Sequence, residues 1–213
     1  MKITKYGHCC LLVEEKNLRI LTDPGSFTTT QNSVKNIDVV LITHEHQDHF
    51  HIDSVKNILK NNPLAKIITN KDVAKLLDKE KIKYELVEDK QHIKIKNVLI
   101  EGFGLKHAEM HSSIPQSNNT GYFIDNRLFY PGDAFTNPGK IVEILALPVA
   151  GPWMKMSEAL DYALELRPKT CFPVHDGVVV EGMRGFAGMM AKNILEPKRI
   201  NFVQMNNGDT KEF

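Results

Sequence analysis

Three histidines, a glutamate and an aspartate crowd the segment Ile42–Phe50, ITHEHQDHF, directly behind the apolar run IDVVLI. Imidazole and carboxylate groups are costly to remove from water unless each finds a partner. A metal ion satisfies several of them at once, because neutral imidazole suits zinc and carboxylates add oxygen ligands and balance charge. The pattern therefore predicts a metal site where a buried strand ends.

The spacing inside this segment is compatible with a division of its residues between two ions. His44 and His46 are two residues apart, so both side chains can point the same way in an extended segment. A tighter turn can bring Asp48 and His49 to a neighbouring point. These four residues do not complete two sites, so distant segments must supply the rest. Candidates stand at three further predicted strand ends, namely His107 after VLIEGFGLK, Asp133 in YPGDAF and His175 in FPVHDG.

Length and composition indicate an ordinary globular protein. The 213 residues, 42% hydrophobic and 25% charged, suit a single domain over residues 1–213. A net charge of +1 argues against a protein built mainly to bind nucleic acid. No apolar run approaches the ~20 residues that a membrane helix needs, and we expect neither a signal peptide nor membrane contact. Three cysteines, an odd number, predict small core residues in a reducing cytoplasm.

The order of predicted elements indicates an α/β fold. Strand-like runs come first, helices and strands then alternate, a β-rich middle follows, and the last third alternates again. Predicted helices are HIDSVKNILKNNP, KDVAKLLDKE, MSEALDYALELRP and RGFAGMMAKNILEP, and the chain is expected to close on a strand, INFVQM. Two β-rich halves, each flanked by helices, predict a four-layer αββα sandwich.

In their order along the chain, these motifs resemble those of the metallo-β-lactamase fold superfamily of metal-dependent hydrolases. The likeness covers nearly the whole chain, through ILTDPG, THEHQDH, a histidine near position 107, YPGDAF and FPVHDG. The segments YGHCCLLVE and LALPVAG look closest to the branch that contains ascorbate-6-phosphate lactonase-like proteins. The resemblance implies the αββα sandwich and a two-metal centre at one edge of it.

Carried onto this chain, the resemblance also implies a role for each candidate residue. Asp23 would hydrogen-bond around the ligands and fix their orientation, and His8 would lie beside the metals as a substrate contact. The implied ligands are His44, His46 and His107 for the first ion, Asp48, His49 and His175 for the second, and Asp133 bridging both.

The third motif, KHAEMH, offers both His107 and His111 as a ligand. We prefer His107, because it lies two residues beyond Leu105, where the strand pattern ends. His111 falls deeper in a loop, from which it could still contact the substrate or support the ligands. Trp153 could lie at the edge of a substrate-binding site, but packing against other side chains is the favoured interpretation.

The implied chemistry is hydrolysis by a metal-bound hydroxide at a dinuclear site, with Asp48 accepting a proton from that water. Zinc is expected because histidines dominate the donor set, with manganese or iron as alternatives. The expected substrate is a small molecule with an ester, lactone or phosphoester bond. Two other functions are weighed. A nuclease or phosphodiesterase is disfavoured by the neutral charge, and a di-iron redox protein would need an electron-transfer partner.

Overall fold

Fourteen strands and four α-helices build the chain in the computed structural model, which describes residues 1–213 apart from the side chain of residue 181. The strands are β1 (Lys2–Gly7), β2 (Cys10–Glu15), β3 (Leu18–Thr22), β4 (Val39–Leu41), β5 (Lys66–Thr69), β6 (Glu85–Leu86), β7 (His92–Ile95), β8 (Val98–Phe103), β9 (Gly121–Ile124), β10 (Leu128–Tyr130), β11 (Ile144–Pro148), β12 (Thr170–Val174), β13 (Asn201–Phe202) and β14 (Thr210–Glu212). The helices are α1 (Ile52–Asn61), α2 (Lys71–Lys79), α3 (Met156–Leu166) and α4 (Glu181–Leu195).

The strands form two mixed sheets of seven strands each. The first sheet has the order β14-β1-β2-β3-β4-β5-β6, and the second has the order β13-β12-β11-β10-β9-β8-β7. In the first sheet β3 to β6 run parallel, and in the second β10 to β13 run parallel. The parallel strands of each sheet therefore bring their carboxyl ends to one edge, where ligand sites form in open α/β sheets.

Three apolar layers hold the sheets and helices together. The inner faces of the sheets pack on each other, with Leu41 and Phe172 in the same buried cluster. The outer face of the first sheet packs on α1 and α2, and that of the second on α3 and α4. Within β4, Val40 points to the outer layer while Val39 and Leu41 point inward, as the strand period of two requires. The αββα sandwich predicted from the sequence is confirmed.

The helices are amphipathic and fit this outer position. Val55 and Ile58 are the buried side of α1, and Val73 and Leu77 are the buried side of α2. Asn70 caps α2 by accepting the amide hydrogens of residues 72 and 73, and it also donates to the Thr43 carbonyl at 2.8 Å. In the described part of the chain, no helix combines the length and apolar character needed to cross a bilayer.

The end of the chain departs from the sequence prediction. The expected closing strand INFVQM is reduced to the two residues of β13, and the chain continues to β14. The three residues of β14, Thr-Lys-Glu, are all exposed, so they carry no apolar alternation that could have signalled a strand. Backbone pairing with β1 holds them at the edge of the first sheet, where the Phe213 amide also bonds the Met1 carbonyl at 2.8 Å.

A buried ion pair ties β1 to the segment that follows β12. Lys5 is fully buried, and its Nζ donates to the carbonyls of Pro173 at 2.8 Å and Met205 at 3.3 Å. The same Nζ lies 2.8 Å from Oδ1 of the buried Asp176. Burial lowers the pKa of Lys5, and the Asp176 carboxylate opposes that shift. Since Asp176 follows His175 directly, the pair fixes the backbone at one candidate ligand.

We expect Lys5→Met to lower the free energy of unfolding by about 3–5 kcal/mol, because it leaves the Asp176 carboxylate buried without its cation. Lys2→Met is the matched control. The Lys2 side chain is half exposed and pairs with Glu14 at 3.1 Å, so its loss should cost no more than about 1 kcal/mol. Urea unfolding of the metal-free variants measures both, and equal small losses would contradict the structural role of Lys5.

Candidate metal centre

Every candidate site residue lies in a segment that follows the carboxyl end of a strand. The segment from His44 to His49 follows β4, and the other residues come from five further strands of both sheets. They are His8 after β1, Asp23 after β3, His107 after β8, Asp133 after β10 and His175 after β12. The topology thus gathers residues that are far apart in sequence at one edge of the sandwich.

The loop that carries four of the candidates is held by close backbone packing. The amide hydrogens of His49 and Phe50 both bond the His46 carbonyl, which makes the tight turn that the spacing predicted. Gly25 lies against this turn, and a Cβ at that position would stand 1.8 Å from the Asp48 carbonyl oxygen. Glycine is therefore required there, and the motif ILTDPG positions the motif THEHQDH by direct contact.

Three histidines form a first group of ligand atoms. His44 Nε2 lies 3.1 Å from His46 Nδ1, and ligand atoms of His44, His46 and His107 all lie within 4.8 Å of one another. The remaining nitrogens of two of them are occupied. His44 Nδ1 bonds the Thr43 hydroxyl at 3.0 Å, and His107 Nδ1 donates to the Ala108 carbonyl at 2.6 Å. Both residues therefore present the lone pair of Nε2 to the group.

The residues predicted to hold a second ion, Asp48, His49 and His175, form the second group of candidate ligands. Asp48 Oδ2 lies 3.4 Å from His175 Nε2 and 3.7 Å from His49 Nε2. Asp133 stands between the two groups. Its Oδ1 is 3.1 Å from His49 Nε2, and its Oδ2 is 2.9 Å from His175 Nε2 and 3.3 Å from His107 Nε2. Asp133 thus lies near donor atoms of both groups, while its bridging role stays a prediction.

Several buried nitrogen and oxygen atoms of these groups make no hydrogen bonds with one another and are suited to bind a metal ion. Among the described residues, His49 Nε2, His107 Nε2 and Asp133 Oδ1 are buried and make no hydrogen bond, although each lies 3.1 or 3.3 Å from an atom of another ligand residue. Buried polar atoms without a hydrogen-bond partner are unfavourable, and a bound ion would supply the missing interaction. Imidazole and carboxylate donors aimed at a shared space are the set that zinc and similar divalent ions take.

Asp23 orients one ligand of each group through a buried hydrogen-bond network. Its Oδ2 accepts from His49 Nδ1 at 2.7 Å, from the Thr43 hydroxyl at 2.7 Å and from the Tyr130 hydroxyl. Because the Thr43 hydroxyl donates to Asp23, it accepts from His44 Nδ1. The network thereby assigns the protonated nitrogen of both histidines and turns their Nε2 atoms toward the ligand groups.

His8 is buried against the second group. Its Nδ1 accepts the Gly177 amide hydrogen at 3.1 Å, so the proton of the ring lies on Nε2 and is donated to Asp48 Oδ2 at 3.0 Å. A Cβ on Gly177 would stand 2.7 Å from His8 Nδ1, which explains the glycine. His8 therefore holds the Asp48 carboxylate in place, and contact with a substrate stays a prediction.

Neighbouring charges shift the pKa values of three buried candidate ligands. Against the opposing effect of burial, the charge of Asp133 raises the pKa of His49 well above its ordinary value and that of His175 to about 10. Burial would raise the pKa of Asp133, but the positive charges of His49 and His175 hold it well below its usual range. Imidazoles that bind a metal must be neutral, so a metal ion bound here would displace these protons, and we expect its affinity to rise as pH rises toward the pKa of His175.

Trp153 contributes to the centre in a way that sequence reasoning did not assign. The indole is buried, and its Nε1–H donates to Asp133 Oδ2 at 2.9 Å. A buried indole N–H needs an acceptor, which is the signal that could have linked this residue to the site. Thr43 and Tyr130 were also missed, and only the position of Thr43 directly before His44 could have pointed to it.

A cleft of about 280 Å³ opens onto the ligand atoms. Both ligand groups and Asp133 contribute to its floor. The rest of its wall is largely apolar and comes from four separate loops, with Ser26, Phe27, Met110, Pro152, Trp153 and Val178 as lining residues. A small molecule in this cleft would contact the candidate metal ligands directly.

The structure separates the two histidines of the third motif. His107 is buried and lies in the first group, whereas His111 is exposed and its Nδ1 accepts from the Ser113 amide at 3.1 Å. The bonds described for His111 stay within its own loop, so the structure does not bring it against the ligands that it was expected to support.

We expect His107→Ala to lose the first ion and nearly all metal-dependent activity, since it removes a donor with a fixed direction. His111→Ala, the matched control from the same loop, should keep its metal content. Elemental analysis of both variants after metal loading and desalting decides the matter. A His111→Ala protein that loses an ion, beside a His107→Ala protein that keeps both, would reverse the assignment.

Comparisons with known proteins agree with this geometry. The family profile described as "Beta-lactamase superfamily domain" matches residues 2–175. Protein Rv0786c of Mycobacterium tuberculosis is 34% identical over 190 residues, covering 87% of this chain and 88% of that protein. The UPF0173 metal-dependent hydrolase NEQ378 of Nanoarchaeum equitans is 28% identical over 206 residues, covering 82% and 83%.

A solved structure has the same fold over the full length of the chain. It is Igni18, a metallo hydrolase from the archaeon Ignicoccus hospitalis, with a TM-score of 0.77, 21% sequence identity, and coverage of 100% of this chain and 98% of that one. The family match, the two-sheet fold and the histidine-aspartate cluster lead to one conclusion. The chain belongs to the metallo-β-lactamase fold superfamily of metal-dependent hydrolases.

Proposed function

We propose that the protein hydrolyses an ester, lactone or phosphoester bond of a small molecule at a centre of two divalent ions. The observation that carries this proposal is that His107, Asp133 and His175, which have buried and unpaired donor atoms, line one cleft. Ions bound there would activate a water molecule as the nucleophile and polarise the bond under attack. Zinc is the preferred ion, because five of the seven proposed ligands are histidines (His44, His46, His49, His107, His175).

The chain's own residues would orient the reacting groups. Asp133 would set the separation of the ions, since it contacts ligands of both groups and Trp153 holds its Oδ2. Asp48 is partly open to the cleft, with 21% of its side chain exposed, and His8 fixes its carboxylate. In the proposed reaction, the Asp48 carboxylate would accept a proton from the attacking water.

The cleft wall favours an uncharged, partly apolar substrate. Phe27, Met110 and Val178 are exposed apolar side chains at its mouth, and the described residues that line it include neither lysine nor arginine. Proteins that bind nucleic acid neutralise phosphates with lysine and arginine, so this wall argues against a nuclease. Among the three bonds, an acyl ester or lactone fits the wall better than a phosphoester does.

The cysteines favour a reducing compartment. Cys10 and Cys171 are buried in the two outer apolar layers, which agrees with free thiols and with the expected cytoplasmic location.

A substrate panel tests the proposed function. With zinc loaded, we expect chromogenic short-chain acyl esters and lactones to be hydrolysed with kcat/KM values at least about tenfold above that of a chromogenic phosphodiester. Single-stranded RNA and DNA should bind weakly at about 0.15 M salt and stay intact. Submicromolar binding of RNA or DNA under these conditions, together with metal-dependent cleavage, would overturn the proposal in favour of a nuclease.

We expect Asp48→Ala to lower kcat by at least about a hundredfold on whichever ester or lactone is turned over. The first group of ligands should still hold its ion in this variant. Asp53→Ala is the control, because Asp53 lies nearby on α1 but its side chain is 73% exposed. If both variants hydrolyse the substrate at the wild-type rate, Asp48 has no role in the reaction.

A further inference from the structure

Cys9 lies among histidines rather than among apolar side chains alone. Ligand-capable atoms of His8, Cys9, His49 and His175 all lie within 4.8 Å of one another, and all four residues are buried. Two of these histidines belong to the second group of ligand atoms. The inner-layer position of Cys9, next to the start of β2, directs its side chain into the space between the sheets.

The histidines around Cys9 still have unused ring nitrogens. Within the described chain, His49 Nε2 and both nitrogens of His175 are buried and make no hydrogen bond. His49 is fully buried and His175 is 2% exposed, so water does not serve these atoms freely. A thiol is a weak hydrogen-bonding group and does not satisfy them, whereas a thiolate and imidazoles around one zinc ion do.

We propose that the Cys9 thiolate is a ligand of the second ion, beside His49 and His175. This inference rests on the proposed two-metal centre and adds a donor to it. The thiol would release its proton to solvent as the sulfur–metal bond forms, so that the step needs neither an oxidant nor a reductant. A thiolate is a soft donor, and it would make the second site select zinc or cobalt over manganese.

The other two cysteines supply matched controls. Cys10 is adjacent in sequence but packs in the outer layer with Leu12 and Leu21, and Cys171 packs in the outer layer of the second sheet. Both are as buried as Cys9. A substitution at either one therefore removes a buried thiol without touching the proposed site.

Cobalt substitution tests the inference without reference to turnover. The full chain would be stripped with a chelator, loaded with Co²⁺ and followed by absorption spectroscopy. Thiolate ligation gives an intense sulfur-to-cobalt charge-transfer band in the near ultraviolet. We expect this band in the wild type and in the Cys10→Ser/Cys171→Ser double variant, where Cys9 is the only cysteine, and its loss in Cys9→Ser.

The double variant keeps the test decisive even where Cys9→Ser does not fold. A double variant that binds two cobalt ions without the charge-transfer band would overturn the proposal, as would a band that persists in folded Cys9→Ser. Zinc-over-manganese preference at the second site should fall by at least about tenfold in Cys9→Ser. A failure of this inference leaves two bound ions and ester hydrolysis intact, whereas a failure of the proposed function removes one or both of those.

Discussion

The site depends on the hydrogen bonds that the Asp23 carboxylate accepts. It is fully buried, and it accepts hydrogen bonds from a backbone amide, two hydroxyls and an imidazole. Such a group is tolerated away from water only when its acceptor capacity is met in this way. Because Tyr130 reaches it from the second sheet, Asp23 joins the two sheets at the edge where the ligands gather.

Through Thr43 and His49, the same carboxylate controls the direction of ligands in both groups. A change in the packing between the sheets would therefore turn His44 and His49 together. The buried ion pair of Lys5 with Asp176 plays a comparable part at the neighbouring residue, His175. Rigid support of this kind is what a site with metal ligands from several strands requires.

The sandwich itself explains why residues distant in sequence meet at one place. Parallel strands in each sheet end at a common edge, and most of the candidate ligands lie in segments that begin at those ends. The apolar wall of the cleft comes from loops that also begin at this edge.

The fold could be predicted because the chain has two β-rich halves flanked by helices, and the site could be predicted because the apolar runs of β4 and β12 end in ionisable residues. The αββα sandwich and the superfamily are confirmed, and the preference for His107 over His111 agrees with their placement, while the metal-ligand roles stay predictions. The strand β14 was not predicted, because it is formed by backbone pairing with β1 and its side chains show no strand pattern.

The positions of Trp153 and Cys9 beside the candidate ligands were not predicted, for a different reason. A buried tryptophan or cysteine in a sequence gives no sign of which groups from other segments surround it. Only the fold shows that the Trp153 indole meets Asp133 and that Cys9 lies among three histidines. Both were read as packing residues, which is the usual role of these residue types but incomplete at this site.

A crystal structure of the zinc-loaded protein, with anomalous diffraction recorded at the zinc edge and elemental analysis of the same sample, tests the central claim most directly. The account predicts two zinc ions per chain, one among His44, His46 and His107 and one among Asp48, His49 and His175, with Asp133 in contact with both. A single ion at full zinc loading, or ions held elsewhere on the chain, would contradict it.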